Sequence, residues 1–241
     1  MVAEVRFDES PVGSVVHPPA PTGLVIMYFP GDREPAPESA GSLAERTGGT
    51  VVCPRYRSVY PAALEDVHAA YEYCRTLGTV AVAGAGLGGG LATAMVLKLR
   101  DAGTALPTCT VLVSALLDLN LEAPSLLFNA ATRPAADIAD LRRRVAQYAA
   151  GAAPDDPLLS PLYANLHGLP PVQLLVAGTD LLLDDSLAFA ARAARSGVTV
   201  ELRVRPDSSA LRADLITTMA TFIAAWEARA GRPGPGRVHA M

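Results

Sequence analysis

Short apolar runs alternate along this chain with segments whose apolar positions recur at helical spacing. Gly23 to Phe29, Thr50 to Pro54, Val80 to Ala83, Thr110 to Ser114, Val172 to Ala177 and Thr199 to Arg205 read as strands. Between them, Ser42 to Arg46 starts a helix that stops at Gly48 and Gly49. A second helix opens at Pro61 and carries Val67, Ala70, Tyr71 and Cys74 on one face. Further helices are expected from about Leu91 to Asp101, from Leu183 to Arg195, and from Leu211 to Arg229. The last turns Leu215, Met219, Phe222, Ile223 and Trp226 inward. From Leu117 to Leu169 the pattern is broken by Pro124, Pro134, Pro154, Pro157 and Pro161, with a clear helix only from about Ala135 to Tyr148. That segment is expected to be an excursion over the sheet edge. Strand and helix in alternation predict a mostly parallel sheet flanked by helices. The expected organisation is one domain over residues 1–230, followed by a Gly/Pro/Arg-rich tail, 231–241, that is expected to be disordered.

Composition narrows the class. With 241 residues, half of them hydrophobic and 18% charged, the chain has enough apolar side chain for a large core and too little charge for a disordered protein. Its apolar runs are far shorter than the roughly 18 residues that span a bilayer, so no membrane span is expected. A net charge of -4 argues against a nucleic-acid partner. The basic run Arg142-Arg143-Arg144 reads as a solvated helix face beside Asp137 and Asp140. Cys53, Cys74 and Cys109 are an odd number without zinc or redox spacing, and the N-terminus lacks the pattern of a secretion signal. A cytoplasmic location with reduced thiols is therefore expected. His17, His68, His167 and His239 stand apart from one another and from cysteine, so neither a metal nor a cofactor is expected.

The chemistry concentrates in one glycine-dense turn. Val80-Ala-Val-Ala-Gly84-Ala85-Gly86-Leu87-Gly88-Gly89-Gly90 leaves a strand and enters a helix. Gly84, Gly86 and Gly89 match the dinucleotide fingerprint G-x-G-x-x-G in form. The fingerprint belongs after the first strand of its unit, with a carboxylate ending the next strand, and here the next strand ends Val113-Ser114-Ala115. The same turn also has the frame of a nucleophile elbow, G-x-S-x-G, with Gly86 where the serine would stand.

From about Gly23 to Ala228 the chain resembles the bacterial hormone-sensitive-lipase-like branch of the α/β-hydrolase family. The matching residues run in family order: Tyr56-Arg57 with Tyr60 to Asp66, Ala83 to Ala92, Ser114 with Leu117-Asp118-Leu119, Asp156-Pro157 with Ser160-Pro161-Leu162, Gly178-Thr-Asp180 with Asp184-Asp185, and Val200 to Val204. The resemblance implies an α/β-hydrolase fold with the cap domain absent or minimal. It also implies a Ser, Asp and His in that chain order. The Asp matches Asp180, the Ser position holds Gly86, and the His is expected at about Ala210. The oxyanion loop is expected at Pro30, Gly31, Asp32 and Arg33, with Ala85, Leu87 and Ser114 in the same pocket region. Tyr28, Tyr56 and Tyr60 read either as pocket donors or as packing. The resemblance further allows a homodimer through the last strand and helix.

Triad hydrolysis needs an attacking oxygen, an adjacent base and a group that orients the base. Glycine and alanine supply neither of the first two, and no Ser, Thr or Cys lies between Gly84 and Gly90. Two features survive in this reading: the amide of Leu87 at a helix N-terminus, and Asp180 as a proton acceptor or as a brace for its own loop. Asp184 and Asp185 read as helix-start acids. The expectation that follows is a non-hydrolytic cyclase, lyase or isomerase acting on an apolar small molecule in natural-product metabolism. The alternatives are a non-catalytic ligand-binding or assembly protein, and a weak carboxylesterase.

Overall fold

The apolar runs become the centre of one eight-stranded sheet in the computed structural model, which describes residues 5–31, 36–131 and 138–230. The strands are β1 (Arg6–Ser10), β2 (Gly13–His17), β3 (Leu24–Phe29), β4 (Thr50–Pro54), β5 (Thr79–Ala85), β6 (Thr110–Val113), β7 (Val172–Ala177) and β8 (Val200–Arg205). They lie in the order β1-β2-β4-β3-β5-β6-β7-β8. From β4 to β8 every neighbour is parallel, whereas β1 and β2 pair antiparallel with each other and β2 pairs antiparallel with β4. Every residue of β3, β6 and β7 is buried, as expected for strands covered on both faces.

Seven helices are described: α1 (Ala36–Thr47), α2 (Ala62–Leu77), α3 (Gly86–Asp101), α4 (Pro124–Ala131), α5 (Ile138–Ala149), α6 (Leu183–Arg195) and α7 (Ser208–Ala230). Alternation along β3 distributes them. Ile26 and Tyr28 pack with Leu43 and Ala44 of α1 and Leu215, Met219 and Ile223 of α7. Val25, Met27 and Phe29 point the other way, into a core with Val67 and Tyr71 of α2 and Met95 and Leu99 of α3. A third cluster joins Leu97 of α3 to Phe189 and Ala193 of α6 across Leu112 and Leu174. Val67, Ala70, Tyr71 and Cys74 are all buried, as their spacing implied.

The chain passes from β3 to β4 on one side, then returns across β3 to β5 on the other. Such a reversal of strand order marks the usual ligand position in an open parallel sheet, beyond the carboxyl ends of the strands. Among the described residues, no helix is long and apolar enough to cross a membrane.

Three elements differ from the sequence reading. The β1–β2 hairpin was not anticipated; four of the five residues of β1 are exposed, so it carries little apolar signal. Helix α4 begins at Pro124 inside the proline-broken segment, where proline serves as a first-turn residue rather than a breaker. Helix α3 starts at Gly86 rather than near Leu91. Gly88, Gly89 and Gly90 sit where packing leaves no room: a Cβ on Gly88 would stand 2.9 Å from Phe29 Cβ, on Gly89 2.7 Å from Ala115 Cβ, and on Gly90 2.3 Å from the Leu116 carbonyl oxygen. Close approach of the helix to β3 and β6 thus overrides the low helix propensity of glycine.

Candidate functional site

Strand β5 runs straight into α3, so Gly86 is both the end of a strand path and the first residue of a helix. Its φ is +54°, the left-handed region, and among the described residues no atom outside its chain neighbours and its own helix backbone lies within 4 Å of where a Cβ would stand. Ala85, in extended conformation, caps α3 without a side-chain hydrogen bond, and the first turn contains no acid. The first amides of the helix, Leu87 included, therefore keep the partial positive charge of an uncapped N-terminus. Beyond β3, Pro30 and Gly31 are half-buried, and a Cβ on Gly31 would lie 3.1 Å from Ala85 Cβ, so this loop rests on the turn. Asp32 and Arg33 lie outside the described residues.

Two strands away, the turn between β7 and α6 carries Asp180. Its Oδ1 accepts the N–H of Leu182 at 3.0 Å, and its Oδ2 accepts the hydroxyl of Ser114 at 2.8 Å. One oxygen of this half-buried carboxylate thus braces its own loop and the other holds the Ser114 hydroxyl. Ser114 follows β6 with φ +42°, its N–H bonded to the Leu175 oxygen at 2.8 Å. The next amide but one, Leu116, donates to the Gly86 oxygen at 2.9 Å. The segment from 114 to 116 therefore ties the β5 turn to the β7 turn.

Two residues hold this arrangement in a way their sequence context did not indicate. Asn129 of α4 donates its Nδ2 to the carbonyl oxygens of Asp180, at 2.6 Å, and Gly178, at 3.2 Å. It lies in the segment where prolines hide the helical period. Asp185 was expected to act only as a helix-start acid. It is in the first turn of α6, yet it is 2% exposed, and its Oδ2 accepts the N–H groups of Leu117, at 2.7 Å, and Asp118, at 3.0 Å. Burial pushes its carboxyl up to about 6, against the two amide bonds, with the charges of Asp118 and Asp184 adding to the rise. Asp184 accepts the N–H of Ser125 at 2.8 Å and so pins the start of α4.

Ala210 sits in the first turn of α7, its N–H bonded to Asp207 Oδ1 at 2.9 Å, and brings no base to the crevice. Tyr28 is core, Tyr56 packs on Phe29 with ring centroids 6.0 Å apart, and Tyr60 donates to Asp156 at 3.3 Å, so all three are accounted for by packing or local bonding. Arg143 and Arg144 pair with Asp140 on an exposed face of α5. Burial raises the three free thiols, to about 11 for Cys53 and about 12 for Cys74 and Cys109, which suits packing and not nucleophilic chemistry.

Comparison with known proteins agrees with this geometry. Residues 30–209 match a family described as having the alpha/beta hydrolase fold. An acetyl-hydrolase of Streptomyces hygroscopicus is 36% identical over 206 residues, 80% of this chain and 69% of that protein. An esterase of Acinetobacter venetianus is 31% identical over 171 residues, 67% of this chain and 56% of that protein. Among solved structures, an esterase from the bacterial hormone-sensitive lipase family superposes with a TM-score of 0.84 at 28% identity, covering 92% of this chain and 85% of that one. A hormone-sensitive lipase from a metagenome library superposes with a TM-score of 0.85 at 29% identity, covering 92% and 84%.

These relatives overturn the expectation of a non-hydrolytic cyclase, lyase or isomerase of natural-product metabolism, and with it the reading of Gly86 and Ala210 as marks of a hydrolase fold that no longer hydrolyses. Proteins sharing about a third of this sequence are named for ester and acetyl hydrolysis. The physical reason is that losing side chains lowers a rate without creating another reaction. The groups that remain, a carboxylate, a hydroxyl and uncapped amides at a helix start, are those of acyl transfer.

Proposed function

Because the chain belongs to the alpha/beta hydrolase fold family, we propose that it is a weak carboxylesterase whose site is the crevice between the Gly86 turn and the Asp180 turn. The observation that carries this reading is the survival, along one edge of the sheet, of a hydroxyl-bonded carboxylate and an uncapped helix N-terminus. An ester carbonyl seated over Gly86 meets open space instead of a side chain. Its oxygen accepts the Leu87 amide, which stabilises the negative charge that develops on attack. Asp180 receives the proton of the attacking oxygen.

In this reading Gly86 stands where the family's serine would be and Ala210 where its histidine would be, so a serine-to-histidine relay does not operate. Disabled triads retain on the order of 10³ to 10⁴ over water from binding and amide donors. Turnover in that range, well below that of an intact triad, is the expected outcome. The apolar character of Pro30, Ala85 and Leu87 around the turn favours simple acyl groups over charged ones.

The test is initial-rate hydrolysis of p-nitrophenyl acetate, butyrate and octanoate. Saturable release of nitrophenol above the buffer rate is expected. A rate equal to buffer for all three esters, with the same esters raising the melting temperature, would replace hydrolysis with simple binding.

A further inference from the structure

Ser114 and Gly86 leave neighbouring strands at the same level. Ala85 pairs with Val113 in the β5–β6 register, and Val113 pairs with Leu175 in the β6–β7 register, so 86 and 114 are the next residues on adjacent parallel strands. Such strands lie about 4.8 Å apart. Both residues take left-handed backbone angles, +54° at Gly86 and +42° at Ser114. For glycine this is unremarkable, but for serine it is a strained conformation that the surrounding structure must hold. Here the Ser114 amide is fixed to β7, and the Leu116 amide is fixed to the Gly86 oxygen. The strain therefore presents the hydroxyl at the carboxyl edge of the sheet, half-buried, with its proton already donated to Asp180 Oδ2 at 2.8 Å.

We propose that Ser114 Oγ is the attacking oxygen of this site and Asp180 its base. The inference rests on reading the crevice as an ester-hydrolysing site. Ser114 Oγ forms a bond to the ester carbonyl carbon while its proton passes to Asp180 Oδ2. The carbonyl electron pair moves to the oxygen, which faces the start of α3 one strand away. The pair then returns, the bond to the alcohol oxygen breaks, and the leaving alkoxide takes the proton from Asp180. The acid is left esterified to Ser114. Water attacks this acyl ester, giving its proton to Asp180, and the same proton returns to Ser114 Oγ as the carboxylic acid departs. No oxidant, metal or further reactant is needed. A carboxylate is a weaker base than an imidazole, which keeps the reaction slow and agrees with a weak esterase.

Acid-quenched mixtures of the full chain with p-nitrophenyl acetate, digested and read by mass spectrometry, test the proposal. A fluorophosphonate probe run in parallel reports the nucleophile without requiring turnover. Acetyl and phosphonyl adducts are expected on the peptide containing Ser114. Both should vanish in Ser114→Gly, a variant that accepts the positive φ and so keeps the fold available, together with a loss of hydrolysis of roughly 100-fold. Asp180→Asn should slow phosphonyl labelling of Ser114. Hydrolysis that persists in Ser114→Gly, with no adduct in the wild type, overturns Ser114 as nucleophile and leaves the esterase reading standing. Labelling of Ser114 without turnover of any ester overturns the esterase reading and leaves the nucleophile assignment intact. Hydrolysis lost in Ser114→Gly, with no adduct ever found on Ser114, overturns covalent attack and leaves Ser114 a positioning residue for Asp180.

Discussion

The two turns that face each other across the end of β6 are built by different means. The β5–α3 turn is almost entirely backbone: its shape follows from glycines pressed against Phe29, Ala115 and Leu116, and no polar side chain among the described residues caps it. The β7–α6 turn is dense in side-chain hydrogen bonds: Asp180, Asp184 and Asp185 reach Ser114, Ser125, Leu117 and Asp118, and Asn129 reaches back to the turn's carbonyls. A turn shaped by steric packing keeps its form when its functional side chain is glycine. A turn shaped by hydrogen bonds keeps its form only while its hydrogen-bonding side chains remain. This contrast explains how the chain lacks a serine at Gly86 yet preserves the carboxylate two strands away.

The largest effect that sharpens this contrast comes from Asp185. Its carboxyl is raised from 3.8 to about 6, so the folded protein holds a proton that the unfolded chain releases. The sign follows: the associated stability is present below pH 3.8 and is lost as pH rises through about 6. At 1.36 kcal/mol per unit the loss is on the order of 3 kcal/mol. Urea unfolding of wild type and Asp185→Asn across that window should show a difference of this size with this sign. A constant offset between the two would break the assignment of the turn's rigidity to this buried acid.

A smaller effect separates the glycines of the other turn. Gly90→Ala places a Cβ 2.3 Å from the Leu116 oxygen and is expected to cost about 1–3 kcal/mol in unfolding free energy, as overpacking does. Gly86→Ala meets open space and only the left-handed φ, and is expected to cost about 1 kcal/mol. Equal losses in the two variants would mean that packing does not shape the turn.

The same contrast governs how much was legible in the sequence. Features that arise from apolar period and glycine density were readable: the strands over Thr50–Pro54 and Val172–Ala177, the helix over Leu183–Arg195, and the turn at Gly86 stand where the pattern put them. Asp180 was placed by its resemblance to a family motif, and the structure adds its partner, Ser114. What stayed hidden depends on partners distant in the chain. Asp185 looks like any first-turn acid until Leu117 and Asp118 are brought to it, 68 and 67 residues away. Asn129 sits in a stretch without clear period. The β1–β2 hairpin is held by backbone pairing to β4, which leaves little mark on composition. The functional reading erred where absent side chains were taken as a sign of different chemistry, although the retained carboxylate and amides pointed to the chemistry of the relatives.

Comparing hydrolysis of p-nitrophenyl acetate by the wild type and by Asp180→Asn tests the central claim most directly. Asparagine keeps the size of the side chain and an oxygen for the Leu182 amide, but it turns an NH2 group toward Ser114 and cannot take up that hydroxyl's proton. The account predicts wild-type hydrolysis above the buffer rate and a loss of roughly 100-fold or more in the variant, with the melting temperature little changed. Equal rates in the two folded proteins would contradict it.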